Sequence, residues 1–249
     1  MPLCCIVIAD MNIYSEKFTL ANKDVDLYRH LRTSRLFEML QAVSVSHTEL
    51  LGAGRKQTLD HGILWVVIQQ SIQIKRMPAY EETITVETWP GRTMHVLFPR
   101  YYQVKDAHGS VLIQGSSLWT LIDQKTRKMV FADDYGIDIA GQDQPYQLPL
   151  PKALPQEETE HHVSFTVPYS YCDLNGHMNN ARYFDLAEDN TPCAAAGACL
   201  QSIAVQYSQE IRYGSTIDLN WAEKGSVLFL SGDEKQNHFR MKLTYQEKI

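Results

Sequence analysis

The chain is poor in cysteine. The five it has (Cys4, Cys5, Cys172, Cys193 and Cys199) show neither a C-x-x-C metal spacing nor an even disulfide framework. Their odd number and scatter fit a reducing compartment. Long hydrophobic runs are missing too: nothing approaches the roughly eighteen apolar residues that span a membrane, so no membrane association is expected. Positive charge is short, with 23 Lys/Arg against 29 Asp/Glu and a net charge of −6. That balance argues against nucleic acid, because neutralising phosphates takes a basic surface. The nine histidines, His161-His162 among them, show no ligand spacing, so no metal and no other cofactor is expected. The opening Met1–Asp10 lacks a basic n-region and the Arg/Ser richness of a transit peptide. Met11 would start the chain equally well. Residues 1–10 therefore read as an extension, and the expected location is the cytoplasm.

What is present is a chain of 249 residues, 44% apolar and 21% charged, enough for one large core or two ordinary domains. Its charge is uneven. Residues 1–132 carry 15 Lys/Arg against 12 Asp/Glu, whereas 133–249 carry 8 against 17. Four of the ten prolines (145, 149, 151 and 155) crowd into one short window followed by Gln156-Glu157-Glu158-Thr159-Glu160. This composition predicts a solvated linker over 133–160 between units at 11–132 and 161–249.

The two units repeat. Asp26-Leu27-Tyr28-Arg29-His30-Leu31 through Met39 aligns without a gap, at an offset of 147, with Asp173-Leu174-Asn175-Gly176-His177-Met178 through Leu186. Asp, Leu, His, Arg and Phe are identical, where unrelated segments would share about one residue. Thr83-Ile84 running to Trp89 also matches Thr216-Ile217 running to Trp221. The chain reads as a tandem duplication. In the first copy Leu36, Leu40, Val43, His47 and Leu50 or Leu51 recur at helical steps, with Ser34 as N-cap and Gly52 as the stop. In the second copy a shorter helix starts near Asn180 and breaks before Pro192. Alternating strands follow, divided by turn signals at Pro90-Gly91, Asp106–Gly109, Tyr213–Ser215 and Ser231-Gly232-Asp233. One helix and a strand meander, done twice, imply an α+β fold with a helix against an antiparallel sheet in each half.

The segment Cys172–Leu186 holds the densest chemistry. Asp173, Asn175 and His177 fall at i, i+2 and i+4; in an extended segment their side chains share one face. An acceptor, a neutral donor and a titratable base would then converge where water can be activated. Cys172 has the opposite parity, which points its thiol away from this face and into packing.

The duplicated helix-and-sheet plan resembles the tandem (double) hot-dog architecture. The run Asp173-x-Asn175-x-His177-Met178-Asn179-Asn180 followed by Tyr183, with Tyr207-Ser208-Gln209-Glu210 about thirty residues on, is similar to the signature of acyl-acyl carrier protein thioesterases. The resemblance covers nearly the whole chain after residue 11. It implies hydrolysis of fatty acyl-acyl carrier protein to free fatty acid, with Asp173, Asn175, His177 and Glu210 as the catalytic set and acyl carrier protein as partner. Plant members carry a cysteine after the glutamate. Here Ile211 stands there, which excludes a thiolate at that place and leaves a water or carboxylate route. His177 or Glu210 would serve as base, Asp173 would attack or orient, and Asn175 would hold water or carbonyl. Backbone N–H groups near Asn179 and Asn180 would suit an oxyanion.

The duplication is an internal control. The first copy keeps Asp26 and His30 but has Tyr28 for Asn175 and Arg29 for Gly176; a strand alignment sets Ile74 opposite Glu210. The first half is thus expected to accommodate the acyl chain and the second to catalyse. Shared Asp and His can be scaffold, Asn179 is read as a helix cap, and Asn175 and Glu210 are the half-specific pair. Arg29, Arg32 and Arg35, at every third residue, form either a solvated face or a docking patch for the acidic carrier protein. Rival readings are an acyl-coenzyme A thioesterase or hydratase, and a non-catalytic acyl-binding module. A monomer or a homodimer fits the duplication equally well.

Overall fold

A computed structural model describes residues 13–141, 148–191 and 197–246; the expected extension at 1–10 lies outside them. Among the described residues there are ten strands and two α-helices. The first half runs β1 (Tyr14–Thr19), α1 (Thr33–Leu50), β2 (Ile63–Ile74), β3 (Thr83–Pro90), β4 (Phe98–Lys105) and β5 (Val111–Asp123). The second runs β6 (His161–Thr166), α2 (Arg182–Asn190), β7 (Leu200–Tyr207), β8 (Thr216–Lys224), β9 (Val227–Asp233) and β10 (Asn237–Tyr245). All ten strands make one antiparallel sheet in the order β1-β3-β4-β5-β2-β7-β10-β9-β8-β6. Read from either edge, the order is the same once β6 to β10 replace β1 to β5. The tandem hot-dog architecture is therefore present, with the halves joined where Gln69–Gln73 of β2 pair with Ser202–Gln206 of β7.

The repeat extends to single bonds. Thr19 and Thr83 share a hydroxyl contact of 2.9 Å, and so do Thr166 and Thr216. Leu20 N–H donates to Glu82 O, and Val167 N–H to Ser215 O. The helices meet at their matching phenylalanines, Phe37 and Phe184, whose rings stack with centroids 3.8 Å apart. On the rim of that contact Arg35 pairs with Glu38 and Arg182 with Asp185, while Arg182 also crosses to Glu38 at 2.6 Å. Leu36, Leu40, Val43 and His47 are buried as their periodicity predicts, but Leu50 is exposed.

Three expectations are corrected here. Ser34 does not cap α1: the helix starts at Thr33 after Arg32, and Ser34 is buried inside its first turn. Gly232 is not in a turn but inside β9, where a Cβ would collide with the Phe239 ring; the glycine is there for packing. The described part of the linker is not simply solvated. Ile137 and Ile139 are buried, Ser116 Oγ donates to Pro149 O, and Gln206 accepts from Leu154 N–H. The linker's apolar residues hold it against the sheet.

The halves differ in size. α1 has 18 residues and α2 only 9, and β2 and β5 outrun their counterparts by four residues each. On the extra length a second apolar cluster forms, in which Ile63, Phe98 and Leu121 of the first half meet Ile137 and Ile139 of the linker; among the described residues the second half has no equivalent. No helix among the described residues is long and apolar enough to cross a membrane.

Candidate active site

The segment 173–177 is a tight turn rather than the extended run its spacing predicts. The Asp173 carboxylate accepts the Asn175 N–H at 2.8 Å, the Asp173 carbonyl accepts Gly176 N–H, and Asp173 N–H donates to His177 O at 2.9 Å. Gly176 closes the turn at φ 76°, a region that L side chains rarely adopt. A local Asx bond of this kind outcompetes strand geometry. The turn puts Leu174 (91% exposed) and Asn175 at its tip, and His177 at its base.

His177 pairs in a bridge with Arg212, and Met178 N–H donates to Ile211 O at 2.7 Å. This pairing draws the segment after β7 alongside the turn and places Glu210 Oε2 3.3 Å from His177 Nε2. Of the four residues singled out from sequence, His177 and Glu210 thus touch. Asp173 shapes the turn between them and Asn175. The imidazole pKa is held below its ordinary value, first by burial and then by the Arg127 guanidinium, with Asp173 opposing. A depressed imidazole favours the neutral ring, and a neutral ring keeps one nitrogen able to take a proton.

Arg127 was not legible from sequence. It follows β5 in the first half, and its Nη2 contacts Glu210 Oε1. No motif surrounds it, and 83 residues separate it from its partner.

Asn175 and Leu174 sit on the rim of a cavity of about 300 Å³ that otherwise belongs to the first half. Trp65, Phe98, Trp119 and Ile139 give it apolar walls, and α1 contributes Val45 and Thr48. Arg100 also lines it, buried and bonded to His47, Thr48 and Thr88. The volume lies at the lower end of the range of about 300–1,000 Å³ typical of small-molecule sites.

Other expectations change. The Asn179 N–H is already bonded to Tyr171 O at 2.9 Å, so it is no oxyanion donor; the Asn179 side chain accepts Ala181 N–H and forms the turn ahead of α2, whose N-cap is Ala181 and not Asn179. The Cys172 thiol packs against the core and is pushed up by burial, which fits a packed residue. Two of the three arginines of the stripe are tied down: Arg35 binds Asp24 at 2.6 Å and Glu38 at 2.8 Å, and Arg32 Nε bonds Val25 O, while Arg29 is exposed. The first-half counterpart of Glu210 is Met77, not Ile74. The bridge of His30 with Ala79 and the bond from Leu31 N–H to Pro78 O mirror His177 with Arg212 and Met178 with Ile211. Among the described residues no cluster of potential ligands could hold a metal.

Solved structures share this fold. An acyl-ACP thioesterase from Bacteroides thetaiotaomicron superposes with a TM-score of 0.81 at 21% identity, covering 94% of this chain and 98% of that one. A 12:0-ACP thioesterase from Umbellularia californica gives 0.80 at 18% identity, covering 97% and 99%. By sequence, a chloroplastic acyl-(acyl-carrier-protein) hydrolase of Cuphea viscosissima is 23% identical over 228 residues, covering 85% of this chain and 55% of that protein. The chain spans about half the length of the plant relatives it matches. Residues 11–136 match the acyl-ACP thioesterase N-terminal domain and 154–248 its C-terminal domain; the chain belongs to the acyl-ACP thioesterase family.

Proposed function

We propose that this protein hydrolyses the thioester of fatty acyl-acyl carrier protein, releasing free fatty acid and the carrier's phosphopantetheine thiol. The observation that carries this reading is the 3.3 Å contact of Glu210 with His177, two residues along the turn from Asn175, which itself lines an apolar cavity. Family membership supports it further, as does the acyl-ACP thioester hydrolysis for which the Cuphea, Bacteroides and Umbellularia proteins are named.

The chemistry follows from those parts. A thioester is already activated, so an oriented water suffices as nucleophile. The His177–Glu210 pair takes one proton from that water as its oxygen bonds to the acyl carbon. The Asn175 amide donates to the carbonyl oxygen as charge develops on it. The C–S bond then breaks, and the proton passes to the departing thiolate. Asp173 orients by fixing the turn. The first half holds the acyl chain in its cavity, the linker joins the two halves, and the second half reacts. A single chain contains both halves, so a monomer completes the site. The unpaired Cys172 and Cys199 favour a reducing compartment such as the cytoplasm.

Hydrolysis of acyl carrier protein and coenzyme A thioesters over a range of chain lengths tests the reading. Wild type should release free acid, preferring carrier-bound substrate, and Asn175→Ala, His177→Ala and Glu210→Ala should each lose most of the rate. Equal cleavage by all four proteins would sink the site assignment. Equal use of coenzyme A thioesters would remove the carrier protein as the specific partner.

A further inference from the structure

The first half lacks counterparts of Asn175 and Glu210, yet it sends one side chain into the site. Arg127 stands in the turn that follows β5. Asp123 builds this turn: its carboxylate accepts the N–H groups of Lys125 and Thr126 at 3.1 and 2.6 Å, and its carbonyl accepts Arg127 N–H at 2.9 Å. Arg127 is held there at φ 59°, in a region where non-glycine residues are uncommon and often mark a functional constraint. From this position its guanidinium meets one oxygen of Glu210 while the other oxygen faces His177.

We propose that Arg127, a residue of the first half, is a positioning residue for the reaction, gripping Glu210 by Oε1 so that Oε2 stays turned to His177. The inference rests on the function proposed above. Two features separate this contact from an ordinary surface ion pair, which would contribute little. Glu210 is bridged, one oxygen to each partner, so losing the arginine frees the carboxylate to rotate away from the imidazole. Arg127 also acts on the ring itself, being the largest influence after burial that disfavours the imidazolium. The first half therefore does more than hold the acyl chain.

The test uses the full chain with acyl-acyl carrier protein as substrate. Wild type, Arg127→Gln, Arg127→Lys and Glu210→Ala are compared for kcat, KM, thermal midpoint and the pH dependence of kcat/KM. A group that must be unprotonated fails as pH falls, and removing Arg127 makes His177 easier to protonate. Arg127→Gln should therefore lower kcat roughly tenfold or more, leave KM near wild type, and move the acid limb of kcat/KM to higher pH. Arg127→Lys should restore part of the rate and most of the limb. The inference is overturned if Arg127→Gln keeps wild-type kcat and pH profile while Glu210→Ala is inactive. It is overturned too if the loss lies in KM or thermal midpoint with an unshifted limb, as lost docking or misfolding would give. A fully active Glu210→Ala would instead bring down the proposed function and this inference together.

Discussion

The turns at Asp26–His30 and Asp173–His177 share one backbone and differ in what it carries. Asp26 accepts the N–H of Tyr28 at 2.9 Å as Asp173 accepts that of Asn175, and each aspartate N–H donates to the carbonyl of its histidine. The fourth residue is left-handed in both, Arg29 at φ 66° and Gly176 at φ 76°. The shared geometry thus accounts for the Asp without any reaction, while the His enters it only through its backbone. The differences lie in the residues presented: Tyr28 and Met77 in one half, Asn175 and Glu210 in the other. His30 is exposed, while His177 keeps 17% of its side-chain surface and has an acid beside it. Identity between the copies marks the scaffold of the turn, and the divergent residues around it decide whether the shared histidine has an acid to work with.

Transplanting first-half residues into the second half tests that contrast. The largest effect belongs to Asn175→Tyr and Glu210→Met, which copy Tyr28 and Met77. Each should cut kcat roughly a hundred- to ten-thousandfold, whereas the mirrored His30→Ala should leave steady-state kcat within about twofold. A His30→Ala loss comparable to that of His177→Ala would erase the distinction between the halves.

Next comes Glu188→Gln, which copies Gln41 at the same offset of 147. Burial between the helices pushes the Glu188 carboxyl up to about 7, although Thr33 donates to it. A raised folded-state pKa means that its contribution to stability is complete below the unfolded value near 4.5. It is then lost as pH rises through about 7. Denaturant unfolding should therefore find Glu188→Gln near wild type at about pH 5, and more stable at about pH 8 by on the order of 1–3 kcal/mol. Identical wild-type and variant curves at both pH values would show that the carboxyl ionises without penalty.

The smallest effect is expected for Cys172→Val, which copies Val25. If the thiol only packs, kcat should stay within about twofold and alkylation should not inactivate the variant; a hundredfold loss would bring the thiol back into the mechanism.

Much of this was legible in the chain because the duplication made it so. The ungapped match from Asp26 to Met39 revealed both copies, and hydrophobic steps located both helices. Asp173, Asn175 and His177 stood out by residue type and spacing, and Glu210 through the resemblance to the family signature. The misses have physical causes. Spacing of two suggested a strand, but an aspartate that bonds the amide two residues on makes a turn instead. Ile74 was set against Glu210 because the offset falls from 147 around the turns to 133 at Thr83 and Thr216, and sequence alone does not locate the change within the chain. Arg32 and Arg35 looked free because Val25 O meets Arg32, and Asp24 and Glu38 meet Arg35, only after folding. Arg127 meets Glu210 across the junction of the halves, a contact that periodicity and motifs do not encode.

The seam where β2 pairs with β7 has one more consequence. In a two-fold dimer of identical subunits every substitution is made twice, so a residue that improves one pocket is imposed on the other. Covalent fusion across the seam removes that constraint. Tyr28 and Asn175 occupy equivalent places within one molecule, and each answers to its own surroundings. Dilution cannot separate the two halves either, since their local concentration is set by the tether rather than by the solution. The seam is what lets a symmetric framework hold an asymmetric division of labour.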